Sequence, residues 1–518
     1  MTNKMNKKIK ILLFLVFFFT FGFLLLQWLA KNYVEHFLTQ KLPSHFALMY
    51  SDLDINMLSG SIVLHNTSFK IKNKDTLKNY TYLKLETLQL NGIGYWDLLF
   101  NETLSIKNIL LKNPKLNYYP YKQTASKISE TKTNRKGIKT IIFNELNITN
   151  GSINIMKQSA DSIKLSVSSY KLTVLEGKIN LRSVGQTPIT YNSYKLKAKD
   201  IILGNSDYET FKIDSIYTNK EVLLIENLQI IPKYDKIELS THISKERDYI
   251  NLNIPKIILR NLDFNFNENR FGIAVTSAEI VEPNLEIYRD KLLPDDLTIK
   301  PLYSEFLRNL NFNLAINQTE IKNGYVSYAE LVDPDKKAGK LFFDKVDATL
   351  THITNLENAK KTEIKIYSEL MGKAPLELNW SFDVNNASDA FKVSGSINNL
   401  PAEILNPFFK PNLNILAEGT LQQMYFTFYG NTNKSKGEMK MKYKDFKFKL
   451  LRENSFKINK FLTAIGNIFV NDGSKTNAEG FRYGKIQAER EVTKSFFNYL
   501  WINVKSGIVS TLTGSGEN

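Results

Sequence analysis

Cysteine is absent from this chain, histidine occurs five times in 518 residues, and no Pro/Gly/Ser-rich stretch divides it. The missing thiols exclude disulfides, thiolate metal centres and cysteine nucleophiles together, so hydrogen bonding and apolar burial must hold the fold. His36, His45, His65, His242 and His352 are dispersed, with neither helical pairing nor the His-x-x-Glu spacing of a zinc site. There is no P-loop, no dinucleotide fingerprint and no Gly-x-Ser-x-Gly elbow. Asp52 and Asp54 could form a carboxylate dyad for glycoside chemistry, but acids two apart on a strand are ordinarily a solvated face. No catalytic, metal or cofactor-binding residue is expected, and the chain does not read as an enzyme.

Against these absences stands one long apolar run, Ile11 to Ala30, twenty residues without a charge. A helix of that length crosses a bilayer. Lys4, Lys7, Lys8 and Lys10 precede it and Lys31 alone directly follows, an asymmetry that keeps the N-terminus cytoplasmic. The rival reading, a cleaved signal peptide, fits less well. The run exceeds a signal h-region, and Gln27 to Asn32 offers no small-x-small cleavage site. Asn32 to Leu42 then carries Tyr33, Val34, Phe37, Leu38 and Leu42 at helical spacing, which predicts an amphipathic helix at the membrane surface.

Lysine plus arginine exceeds aspartate plus glutamate by 68 to 52, a net charge of +16. The lysines are scattered singly through alternating patterns, which fits solvated strand faces or attraction to anionic headgroups and not nucleic-acid binding.

From His45 the apolar period changes to two. Leu83, Leu85, Leu88 and Leu90 form one run with a slip in its middle, and Leu104, Ile106, Ile109 and Leu111 form another. Such slips predict β-bulges. Ser59 to Leu64, Asn150 to Ile155 and Asn323 to Tyr328 (SGSIVL, NGSINI, NGYVSY) share a glycine followed by alternating apolar residues. Lys122 to Gly137 reads as a polar loop, Ile299 to Leu310 as a short helix with Leu302, Phe306 and Leu310 on one face. Some 400 residues at antiparallel spacing hold on the order of 25 strands, an all-β body after the membrane helix. Near the end, Ser455 to Val470 predicts a helix and Phe481 to Arg490 a charged strand. A last helix, Lys494 to Leu512, places Phe497, Leu500, Trp501, Val504 and Ile508 on one face, either capping the sheet or docking to a membrane or partner protein.

The residues resemble the AsmA-like family of the double-membraned bacterial envelope. The resemblance rests on the anchor followed by Tyr50 to Ile71, on Ile321 to Leu331 and Gly339 to Asn355, and on Val393 to Phe409, Gly430 to Leu451 and Phe481 to Trp501. Residues from about 156 to 300 carry no matching motif. The resemblance implies a long, curved, antiparallel U-shaped β-groove projecting from the inner membrane into the periplasm and implicated in moving phospholipids toward the outer membrane. On that reading residues 1–10 are cytoplasmic, 11–30 span the membrane, 31–44 form the juxtamembrane helix, 45–453 the groove, and 454–518 a helix–strand–helix region. Candidate groove-lining residues are Leu83, Leu85, Leu88, Leu90, Ile106, Ile109, Ile148, Ile153, Val326 and Leu350. Phospholipid acyl chains and the inner membrane are the expected partners, with an outer-membrane or periplasmic protein at the C-terminal end. The competing expectation is a periplasmic scaffold or regulator of outer-membrane assembly whose apolar face binds a protein.

Overall fold

The computed structural model describes residues 7–42, 46–72, 79–120, 138–157, 162–181, 189–204, 206–267, 270–451 and 476–514. The expected polar loop Lys122 to Gly137 and the expected helix Ser455 to Val470 lie outside the described residues. The rest is mostly strand, 24 in number, with an apolar helix at its N-terminal end and a shorter helix near its C-terminal end.

Helix α1, Lys7–His36, runs directly into one π-helical turn, Phe37–Lys41. The amphipathic helix expected over Asn32 to Leu42 is therefore the end of α1. No proline or glycine separates the two stretches, and the Thr39 hydroxyl donates to the Glu35 carbonyl at 2.7 Å across the join. By length and composition α1 can cross a membrane.

The strands fall into two compact units, residues 1–205 with 213–220, and residues 206–212 with 221–518. Unit 1 holds β1 (Phe46–Met49), β2 (Asp52–Asn56), β3 (Ser61–Lys72), β4 (Asn79–Asn91), the short helix α2 (Tyr95–Phe100), β5 (Thr103–Lys112), β6 (Lys115–Tyr118), β7 (Thr140–Met156), β8 (Ile163–Asn180), β9 (Ile189–Thr190) and β10 (Ser193–Leu203). β1 and β2 pair with β3, β3 with β4, β4 with β5 and β6, these two with β7, β7 with β8, and β8 with β9 and β10. β11 (Glu209–Asn219) is divided between the units.

Unit 2 holds β12 (Val222–Pro232), α3 (Lys236–His242), β13 (Asp248–Arg260), β14 (Asp263–Asn267), β15 (Arg270–Val281), β16 (Asn284–Asp290), α4 (Tyr303–Arg308), β17 (Asn313–Leu331), β18 (Gly339–Thr354), β19 (Thr362–Leu370), β20 (Ala374–Phe382), β21 (Phe391–Pro401), α5 (Asn406–Leu413), β22 (Ile415–Gly430), β23 (Lys434–Leu450), β24 (Arg482–Glu489) and α6 (Phe496–Thr513). From β17 to β24 each strand pairs antiparallel with the next.

Among the described pairings the ladder is parallel where β5 and β6 lie beside β7 in unit 1 and where β15 and β16 lie beside β17 in unit 2. The two steps are built alike. Asn113 and Glu282, each before a proline, take positive φ of 51° and 50°, and their partners Asn150 and Asn323, each before a glycine, take 52° and 51°. The amides of Asn113 and Glu282 donate to the carbonyls of Thr149 and Lys322 at 2.9 and 2.8 Å. Those of Ser152 and Tyr325 donate to Pro114 and Pro283, both at 2.8 Å. Two of the three glycine motifs thus mark the same bulge, whereas Gly60 of the third sits at φ 61° in the β2–β3 turn.

The two slips expected to be bulges are not bulges: the register is the same on either side of each, and one unpaired position with a kinked backbone interrupts the ladder. Between Thr67↔Leu85 and His65↔Thr87 the β3–β4 ladder skips Asn66, itself at φ 46°. That gap lines up with Asn113 and Asn150, where the Asn150 amide donates to Asn113 at 2.8 Å and Asn113 in turn donates to Glu86. The slip between Ile106 and Ile109 falls where β5–β7 skips Lys107 and Asn144, opposite Glu176 at φ 51° on β8. Asparagine recurs at these kinks because its short polar side chain tolerates the left-handed region and bonds locally.

Candidate functional site: an apolar sheet face and its covered end

Directly opposed residues share a sheet face, so the registers of unit 1 trace its apolar face strand by strand. One ladder runs Ile62, Leu90, Ile109, Leu146, Val174, Tyr194 from β3 to β10. A second runs Leu64, Leu88, Leu111, Ile148, Leu172, Leu196. Beyond the Asn66–Asn113–Asn150 kink a third runs Phe69, Leu83, Leu116, Ile153, Val167, Ile201. Six of the candidate groove residues, Leu83, Leu88, Leu90, Ile109, Ile148 and Ile153, lie in these ladders, each half-buried. Leu85 and Ile106 lie at the kinks and are 4% exposed; Ile106 opposes Phe143, whose ring rests on Gly177.

Neighbouring positions form polar ladders in their place. Asn117 accepts from Asn154, which accepts from Ser166, at 3.1 and 3.0 Å, and Thr173 donates to Asn147 at 2.8 Å. A sheet with one such face toward water needs something apolar on the other. Among the described residues of unit 1 the helices are α1, which packs on β2, and α2, which packs on β5. The residues of the three ladders are mostly half-buried, with Leu64, Val167 and Ile201 buried.

Unit 2 carries a comparable ladder, Ile230, Leu252, Leu285, Val326, Phe343, Leu370. The candidate Val326 is half-buried within it. The candidate Leu350 belongs to another row, Leu350, Ile364, Trp380, Val393, Phe428, and packs against the principal buried cluster. That cluster is closed by helices. α4 contributes Leu307 with the preceding Leu302, and α6 contributes Phe496 and Tyr499, while Phe409 of α5 packs with Ile415, Phe448 and Leu512 in a second cluster. Phe496 stacks on Trp380 at 4.3 Å and meets Phe391 edge-on at 5.3 Å.

Two expectations about helix faces are corrected here. In α4 Leu302 and Leu307 are buried, whereas Phe306 is 53% exposed. In α6 the face of Phe497, Leu500, Trp501, Val504 and Ile508 is split. Leu500, Val504 and Ile508 pack against the core, while Phe497 and Trp501 face outward. The buried side of α6 carries Asn503, Gly507, Ser510 and Thr511 beside Phe496 and Tyr499. Close approach is the reason: a Cβ on Gly507 would meet Met439 at 2.7 Å and one on Gly484 would meet the Thr511 backbone at 2.6 Å. The free edge of β24 is bonded by hydroxyls of α6, Lys485 N–H donating to Ser510 at 2.8 Å and Gln487 N–H to Ser506 at 3.1 Å. A pairing of Ser506 with Ser510 one turn later is the sequence signal for this seat.

A charged cleft of about 470 Å³ lies where α6 begins, lined by Glu246, Arg289, Lys300, Tyr303, Lys494 and Phe496 among others. Glu246 accepts from Lys291 at 2.6 Å and from Lys494 at 2.7 Å, and Lys494 also reaches Asp295 at 2.8 Å. Burial pushes the Glu246 carboxyl up, but the hydrogen bonds and charges of both lysines outweigh it and hold the group below its usual range. This arrangement fastens α6 to the β16–α4 connection; its cations are already paired with acids. Elsewhere, the Asp52/Asp54 pair stands on the exposed side of β2, with Asp54 3.1 Å from the His65 ring.

Fold and site together define a β-sheet protein with a membrane-capable N-terminal helix, with apolar ladders in unit 1 and, in unit 2, apolar rows packed against α4, α5 and α6. No family model matches the chain, and no curated protein matches it.

Proposed function

We propose that this is a membrane-anchored lipid-binding protein in which α1 crosses the bacterial inner membrane and the apolar face of unit 1 takes phospholipid acyl chains for transfer toward the outer membrane. The observation that carries the reading is the set of three apolar ladders through Leu90, Leu88 and Leu83, most of whose residues are only half-buried. Each methylene buried there contributes about 0.8 kcal/mol. Rows of equivalent residues offer neighbouring sites of similar energy, so a chain held firmly still slides from strand to strand while its headgroup stays in water. The lysine asymmetry around Ile11 to Ala30 supports a cytoplasmic N-terminus and a periplasmic body, and the resemblance to AsmA-like proteins points to the same compartment.

A second reading has its own support. The helices α4, α5 and α6 fill the sheet face of unit 2 with side chains, and Phe497 and Trp501 stand outside that packing. This favours a C-terminal end that docks a protein of the outer membrane or periplasm and does not itself conduct lipid.

The test is lipid analysis by mass spectrometry on protein purified in mild detergent, comparing the native chain with Leu88→Lys and Ile148→Lys. Phospholipid should co-purify with the native protein and fall several-fold in both variants, while Lys84→Gln on the polar face leaves it unchanged. Equal lipid in all four proteins would refute acyl-chain binding by this face.

A further inference from the structure

We propose that the tip formed by the β2–β3 turn and helix α2 is a membrane-inserting wedge that dips into the bilayer interface beside α1, giving the protein a second point of attachment next to its anchor. The inference rests on α1 spanning the membrane. α2 is amphipathic in the inverted sense. Its one charge, Asp97, turns toward the protein and bonds Ser105 at 2.6 Å and Asn101 at 3.0 Å. Its apolar residues face out: Trp96 is 72% exposed, Leu99 74% and Phe100 64%. Leu58, at the neighbouring turn, is 81% exposed, and the two pieces are tied by Tyr95 donating to the Met57 carbonyl at 3.0 Å and Ile93 N–H to Gly60 at 2.9 Å. Four large apolar side chains on one protruding tip, with the acid withdrawn, are not a surface that water selects.

The position of the tip supplies its partner. Tyr50 lies within electrostatic reach of Glu35 on α1, and β2 packs on α1. Beyond Glu35 the helix continues for about 9 Å to Lys41, and from Tyr50 back to Phe46 is about 13 Å of strand. The short connection between Lys41 and Phe46 closes only if strand and helix run antiparallel. β2 therefore descends along α1 toward the apolar run, and the tip lies some 20 Å further down the strand than Tyr50. The half-buried positions of α1 at Phe23, Gln27, Ala30, Val34 and Leu38 share one side of the helix. A tryptophan beside leucine and phenylalanine is the composition of an interfacial anchor.

The absence of cysteine makes the test direct. Single-cysteine variants of the full chain, Leu58→Cys, Leu99→Cys, Leu25→Cys on α1 and Tyr118→Cys at the opposite end of the strands, are labelled with NBD and reconstituted in phosphatidylglycerol/phosphatidylcholine vesicles. The quencher is a lipid bearing a nitroxide on its acyl chain near the glycerol, and far-UV circular dichroism confirms folding of each variant. The proposal expects loss of NBD emission at positions 58, 99 and 25 and none at 118. Quenching at position 25 alone would overturn the wedge while leaving the spanning helix intact. Quenching at none of the four would overturn both. Equal quenching at 118 and 99 would overturn tip-first insertion.

Discussion

Replacing Phe496 by alanine should release α6 from the sheet without disturbing unit 1. The ring is 5% exposed, stacks on Trp380 at 4.3 Å and contacts Phe391 at 5.3 Å and Tyr303 at 6.0 Å. Large-to-small changes of a buried phenylalanine cost about 3–5 kcal/mol, and the loss of stacked and edge-on partners places this site near the middle of that range or above it. With about 1.4 kcal/mol per tenfold change in an equilibrium, a 4 kcal/mol loss is roughly a thousandfold rise in the open population of α6. Hydrogen–deuterium exchange read on peptides covering Phe496–Thr513 measures it, since sub-global opening sets the exchange rate of the helix amides. The amides of β4 in unit 1 serve as the internal control. A change below tenfold in α6 would refute the view that this aromatic contact holds the helix, and an equal change in β4 would refute its local character.

At the unit 1 kink, Asn150→Gly should be nearly neutral in urea unfolding, while Asn150→Val should cost about 1–3 kcal/mol, because φ of 52° suits glycine and strains a β-branched residue. Acid should loosen α6. The Glu246 carboxyl lies below its usual range in the folded chain, so its contribution is full above the ordinary glutamate value and is lost as pH falls through the lower folded value. Exchange in α6 should accelerate over that acid window, and Glu246→Gln should reduce the pH dependence, leaving the part contributed by Asp295, which Lys494 also holds below its usual range. Ser506→Ala with Ser510→Ala leaves two edge amides of β24 without acceptors, at about 1–3 kcal/mol each if they stay buried. Reduced helix protection, or self-association through the freed edge seen by light scattering, is the expected readout.

The strand content and the apolar face were legible because alternation reports them directly: Leu83, Leu88, Leu90, Ile109, Ile148 and Ile153 each occupy a ladder. The kinks were visible as slips but were misread as bulges, because a left-handed residue flips the side-chain phase without shifting the register, and Asn66 and Glu176 carry no pattern that distinguishes them from solvated polar positions. The parallel steps were hidden for a related reason, because strand direction leaves no trace in period-two alternation. α2 escaped notice as six residues inside a hairpin connection. The seat of α6 was misplaced because ranking faces by hydrophobicity favours Phe497 and Trp501 over Gly507 and Ser510, whereas close packing on β24 needs small residues and hydroxyls.

The two parallel steps share one backbone device but carry connections of different composition. Both use a proline after a left-handed residue on one strand and an Asn-Gly on the next, with matching backbone bonds. A parallel step requires a crossover connection, and the connections differ. In unit 2 it supplies Leu302 and Leu307 to the core and places Lys291, Asp295, Asp296 and Lys300 where they hold Lys245, Glu246 and Lys494. In unit 1 the corresponding connection contains KQTASKISETKTNRKG, Lys122 to Gly137, whose single large apolar residue is Ile128. The same backbone device thus carries an amphipathic connection in unit 2, where that connection adds side chains to a filled core, and a polar sequence in unit 1.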